Sequence, residues 1–139
     1  MSSNVDLPTG SITTDLLAEK SVTADKTDFG GDYSTSEVNT GFKWIDGNYI
    51  YKKTVLCSPL PDTGTKTFAH GASVNIVLDI WGWMFTTSTN AYQQQLPLTR
   101  PVQTTNAVGI YADSTNITIE AASNRSASSA YITLCYTKT

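Results

Sequence analysis

From residue 41 onwards the chain reads as short runs of alternating apolar and polar residues, broken by turn-forming clusters. Ile117, Ile119 and Ala121 alternate with Thr118 and Glu120, the period of two that gives a strand one buried and one wet face. Ile132, Leu134 and Tyr136 make a second such row, with Thr133 and Thr137 between them. Asp113-Ser114-Thr115-Asn116 predicts a turn joining Tyr111 to Ile117, because Asp and Asn side chains hydrogen-bond the backbone just ahead of them. Asp46-Gly47 lies between runs rich in aromatic and β-branched residues. It predicts a tight hairpin with a primed turn, since Gly adopts positive φ freely and Asp tolerates it. Strands are expected near 42–46, 48–57, 65–69, 73–86, 107–112, 115–122 and 129–138, with Asn75 to Leu78 and Ile80 as the best candidates for a central strand. Short antiparallel strands with turns between them predict an all-β chain, a small antiparallel β-sandwich of jelly-roll-like form.

Residues 1–40 follow a different grammar. Ser11-Ile12-Thr13-Thr14-Asp15 returns ten residues later as Ser21-Val22-Thr23-Ala24-Asp25, with Leu16-Leu17-Ala18-Glu19-Lys20 between the copies. So few apolar side chains cannot enclose a core alone; such repeats gain stability when copies stack or several chains pack along an axis. Ile12, Leu16, Leu17 and Val22 are the apolar positions expected to make those contacts. A pair of short helical turns capped by Thr13 or Thr14 is the other reading, compatible with the first. Gly30-Gly31 predicts a hinge, which sets the expected boundary near residue 40: a stalk or anchor over 1–40 and a head over 41–139.

Composition narrows the function classes. Charged residues are only 15% of the chain and the net charge is -3, so there is no basic surface to attract phosphates, and nucleic-acid binding is not expected. The surface must be covered mainly by uncharged Ser, Thr and Asn. Neither a membrane-spanning run nor the basic-then-apolar start of a signal peptide is present, so the product is expected to be made in the cytoplasm without membrane insertion. Two cysteines, Cys57 and Cys135, are expected to be buried free thiols within strands. With two Cys, one His and no Cys-x-x-Cys spacing, no zinc site or other metal site is expected, and no cofactor. His70 is the only histidine and no nucleophile motif accompanies it, so no catalytic residue is assigned. Asn116-Ile117-Thr118 and Asn124-Arg125-Ser126 fit the glycosylation pattern but read better as turn residues flanking strands.

The segment Gly41 to Val55, with its Trp44-Ile45-Asp46-Gly47 step and the Tyr-x-Lys-Thr strand from Tyr51, resembles the opening of a C-terminal domain found in tail-fibre and minor structural proteins of phages and prophages. Ala130 to Thr139 (AYITLCYTKT) resembles the closing strand of that domain, and Ala107 to Ser129 also fits it, whereas residues 58–106 depart from it. The Ser-Ile-Thr-Thr repeat is similar to those of phage fibre shafts, which are usually trimeric. The resemblance implies a homotrimeric virion component that meets a capsid or tail attachment protein at its anchor. It implies adhesion to the bacterial surface, with a glycan as ligand and without catalysis. The alternative is a structural decoration protein, such as a head fibre or a capsid or collar appendage, docking through residues 1–40. In this setting Trp44, Tyr49 and Tyr51 are expected to pack at the base of the head.

The stretch from Trp81 to Gln95 carries the candidate ligand chemistry. Aromatic faces stack against sugar C–H groups, and Asn, Gln and Thr supply uncharged hydrogen bonds. Trp83, Asn90, Tyr92, Gln93, Gln94 and Gln95 are the candidate contacts. By parity Trp81, Trp83 and Phe85 share one strand face, which leaves three readings open: core, trimer interface, or exposed sugar platform.

Overall fold

The computed structural model describes residues 33–86, 93–98 and 104–139. Along the chain run β1 (Val38–Lys43), β2 (Tyr49–Cys57), β3 (Gly64–Ala69), β4 (Val74–Thr86), β5 (Gln93–Leu96), β6 (Val108–Ala112), β7 (Asn116–Ala121) and β8 (Ser128–Lys138). A 3-10 turn at Thr104–Asn106 precedes β6. All pairings are antiparallel, in a five-stranded sheet ordered β1-β2-β8-β4-β5 and a three-stranded sheet ordered β3-β7-β6. The fold is the all-β sandwich expected from the alternation. β2 pairs with β8, the chain crosses over, and β3 pairs with β7, so one long ribbon is doubled over the core. The ribbon stays joined through the bend because Leu60 N–H donates to Ser128 O and Arg125 N–H to Pro61 O, both at 3.0 Å. That doubled ribbon is the jelly-roll feature; β4 and β5 extend it beside β8, and β6 beside β7.

One apolar cluster fills the space between the sheets. β8 supplies Ala130, Ile132, Leu134 and Tyr136, β7 supplies Ile117 and Ile119, and Met84, Leu96 and Val108 close the gaps. Each large aliphatic side chain buried this way contributes roughly 1.5–3 kcal/mol against exposure. Glu37 fastens the segment entering β1 to this body: Tyr136 Oη–H donates to its Oε2 at 2.6 Å, and Lys138 Nζ to its Oε1 at 2.7 Å. Edge strand β3 carries an inward-alternating lysine, Lys66, whose Nζ donates to Pro59 O at 2.8 Å and lies over the Phe68 ring. A charge so placed disfavours pairing with a further strand.

Several expectations are corrected. β4 lies inside the large sheet, between β8 and β5, but β5 pairs only with Gly82 to Phe85, so the Asn75 to Ile80 part is flanked by β8 alone and the middle strand is β8. β4 carries irregularities near Val74/Ile76 and Val77/Asp79, and Asn75, Ile76 and Asp79 are exposed. Because β8 is central, Thr133 and Thr137 are buried as well, and Thr133 Oγ1 pairs with Thr54 Oγ1 at 2.9 Å. The first strand lies at Val38–Lys43 in place of 42–46, because the turn comes earlier than the sequence spacing implied. Gly47 N–H donates to Trp44 O at 2.9 Å, so Ile45 and Asp46 are the central turn residues and Gly47 follows alone at φ 85°. The hairpin is therefore a three-residue loop ending in a left-handed glycine, and not a two-residue primed turn. Trp44 and Tyr49 are largely exposed and do not pack beneath the head, while Tyr51 does, stacked on Tyr136 at 6.2 Å. β5 lies outside the strands expected from the sequence. The expected stalk contacts Ile12, Leu16, Leu17 and Val22, and the hinge Gly30-Gly31, lie outside the described residues.

Candidate functional site

Backbone register decides which side chains meet. On the face of the five-stranded sheet turned away from the core, successive cross-strand rows read Lys52–Cys135–Asp79, then Thr54–Thr133–Trp81, then Leu56–Tyr131–Trp83–Gln95, then Ser129–Phe85–Gln93. Gly82 and Met84 alternate to the other side and are buried, so the parity reading of β4 holds and the three aromatics are not in the sandwich core. Trp83 is 52% and Tyr131 46% exposed, whereas Trp81 and Phe85 are half-buried. Cross-strand aromatic pairing fixes the bed: the Phe85 and Tyr131 rings stack with centroids 5.7 Å apart and 22° between planes.

The segment ahead of β1 completes one end. Thr54 N–H donates to Ser34 O at 2.9 Å, which holds this segment against the edge of β2. From there Tyr33 reaches back over the face, edge-on to Trp81 at 6.4 Å and 87°. Lys52 Nζ lies 4.3 Å from the Tyr33 ring centroid, a cation–π contact that anchors the ring. The result is two adjoining depressions. One of 380 Å³ is bounded by Tyr33, Thr54, Trp81, Thr133 and Tyr131, and one of 360 Å³ by Trp83, Phe85, Gln93 and Tyr131. Trp83 and Tyr131 line both. Among the described residues, no side chain lining either depression is charged.

Of the residues singled out from sequence, Trp83, Gln93 and Gln95 are exposed and come together on this face. Gln94 does not: it pairs with Met84 and alternates towards the inner side of the sheet. Asn90 and Tyr92 lie outside the described residues. Trp81 and Phe85, read by parity as sharing a face with Trp83, join it here, while Tyr131, Thr54 and Tyr33 complete the face and were not among the residues singled out. Tyr131 carried a signal, being an aromatic out of phase with Ile132, Leu134 and Tyr136 on the buried row. Tyr33 carried none, since nothing local ties it to Trp81.

Comparison with protein-family models, with curated proteins and with solved structures finds no match. His70 is 2% exposed and both ring nitrogens are engaged: Ala72 N–H donates to Nδ1 at 3.1 Å, and Nε2 lies 3.1 Å from Asp113 O. This pattern fixes the tautomer with its proton on Nε2, and the ring clamps the end of β3 to the β6–β7 turn. Asp113 in turn accepts from Thr115 N–H and Asn116 N–H through Oδ1 at 2.8 and 2.7 Å, which holds its carboxyl below the usual range. Burial pushes the Cys57 thiol up to about 12, and burial followed by the nearby Asp79 raises Cys135, so neither sulfur is a thiolate at neutral pH. Both are free; Cys57 is buried as expected, and Cys135 is only half-buried.

Proposed function

We propose that this chain is a virion fibre component of a phage or prophage, whose β-sandwich head adheres to a neutral glycan on the bacterial surface without catalysis. The observation that carries the ligand reading is the outer row Leu56–Tyr131–Trp83–Gln95, an exposed aromatic bed edged by amides and hydroxyls and free of charge. Such a bed suits the C–H face of a sugar, with a few placed polar groups fixing orientation. The opposite sheet makes the contrast: its outer side presents Thr65, Thr67, Asn116, Thr118 and Glu120, with Tyr111 of β6 an isolated aromatic among them. The sequence resemblance at Gly41 to Val55 and Ala107 to Thr139 supports the virion setting. Trimers joined through residues 1–40 would multiply weak single-site affinity by avidity.

The test is binding of the full chain to an array of neutral bacterial surface glycans, repeated with Trp83→Ala. Retention on a subset of glycans, lost in the variant, supports the reading. Absence of glycan and host-cell binding, together with tight docking on capsids, would transfer the protein to the structural decoration class. Residues 1–40 would then be the functional segment.

A further inference from the structure

Resting on the glycan reading above, we infer that the outer face takes an extended neutral glycan of at least two rings laid along β4 and β8, with Tyr33 selecting the ring at one end. The two depressions meet at Trp83 and Tyr131 and follow one another along the strands. From Trp81 to Phe85 the bed spans four residue-to-residue steps of strand, about 13 Å, which is longer than a single pyranose ring. The two halves differ in shape. Around Phe85 the bed is a stacked aromatic pair with Gln93 at its rim, a flat surface that tolerates many sugars. Around Trp81 it is a corner: Tyr33 stands at 87° to the indole, and the Thr54–Thr133 hydroxyl pair lies beside it. A ring in that corner is touched on its face and along its edge, so substituents at the edge decide whether it fits. Tyr33 is thus a specificity-determining residue contributed from outside the strands. The side chains lining both depressions are uncharged, and Lys52 beside the corner is engaged with the Tyr33 ring, so the lining suits a neutral chain.

The protein carries its own reporters, three tryptophans of which Trp44 lies on the β1–β2 hairpin, away from this face. Indole N–H signals of the isotope-labelled full chain would be followed during titration with two series: glucose, maltose and maltotriose, and N-acetylglucosamine, chitobiose and chitotriose. In a series that binds, the monosaccharide moves Trp83 alone. The disaccharide moves Trp81 as well and binds about tenfold more tightly, equivalent to ~1.4 kcal/mol. Trp44 stays still throughout. Tyr33→Ala removes the gain from the second ring and leaves monosaccharide affinity unchanged. Thermal unfolding checks that the variant is folded, which is expected because Tyr33 is 64% exposed. A monosaccharide binding as tightly as its trimer, with Trp81 unmoved, would overturn the two-ring site and leave the glycan reading standing. Stillness of both Trp81 and Trp83 in both series would overturn the glycan reading itself. Self-association abolished by Trp83→Ala would assign the face to a second copy of the chain.

Discussion

At the scale of single residues, Gly82 and His70 do work that no neighbour can take over. Gly82 sits on the inner side of β4 between Trp81 and Trp83, and an added Cβ would run into the Tyr131 carbonyl oxygen and lie 2.6 Å from Ile132 Cδ1. The close approach of β4 to β8 at this point is what sets Trp83 beside Tyr131 on the outer side. Gly82→Ala should therefore destabilise the protein at the upper end of the ~1–3 kcal/mol typical of overpacking. On the proposed glycan reading, affinity should fall as well, because the outer face shifts with the strand; denaturant melts and titration report the two effects separately. His70→Ala leaves the Ala72 N–H and the Asp113 carbonyl without their partner. A loss of about 1–3 kcal/mol is expected, with binding on the distant outer face unaffected. A His70→Ala variant that keeps full stability would show that water replaces the ring at no cost.

At the scale of elements, the clearest case is the segment leading into β1, held by Glu37. Burial alone would raise the Glu37 carboxyl, but hydrogen bonds from Lys138 and Tyr136 and attraction to Lys138 outweigh it and lower the net value below 4.5. A carboxyl depressed in the folded state adds stability above its unfolded value. It loses that stability as pH falls through the folded value. The wild-type protein should thus lose stability on acidification from about pH 4.5 downwards, and Glu37→Gln should show a shallower slope there and lower stability at neutral pH. Thermal melts across that window check it; parallel curves for the two proteins would discard the contribution. The β1–β2 hairpin teaches a different lesson. Its Asp-Gly signal marked the turn correctly, yet the three-residue loop was chosen by the Trp44–Gly47 and Trp44–Asn48 hydrogen bonds that the flanking register allows.

At the scale of the molecule, the two sheets are unequal in width, and the outer face of the wider one carries a cluster of aromatics where that of the narrower one carries mainly Thr and Asn, with Tyr111 alone. The virion-fibre reading adds an expected trimer. Light scattering on the full chain should give three times the 15.0 kDa chain mass, and removal of residues 1–40 should weaken or abolish the assembly. A stable monomer with those residues intact would remove the trimer, and the avidity argument with it, while leaving the single-site proposal to be judged on its own titrations.

Apart from β5 and the bounds of β1, strand positions, turn sites and the sharing of faces were legible in the sequence, because each depends on residues within a few positions of one another. The period of two put Trp81, Trp83 and Phe85 together, as it did Ile117 with Ile119 and Ile132 with Leu134. What parity cannot say is which side of a strand will be covered. That depends on the partner sheet, assembled from residues far along the chain, and the tertiary structure covered the side bearing Gly82 and Met84. It also made β8 the centre, buried Thr133 and Thr137 on the other side of that strand from its apolar row, and turned Gln94 away from Gln93 and Gln95. The site itself belongs to this second class: Tyr33, Thr54 and Tyr131 reach Trp81 and Trp83 only because β8 lies between β2 and β4. Alternation is a local property of the chain, whereas burial is a property of non-local contact.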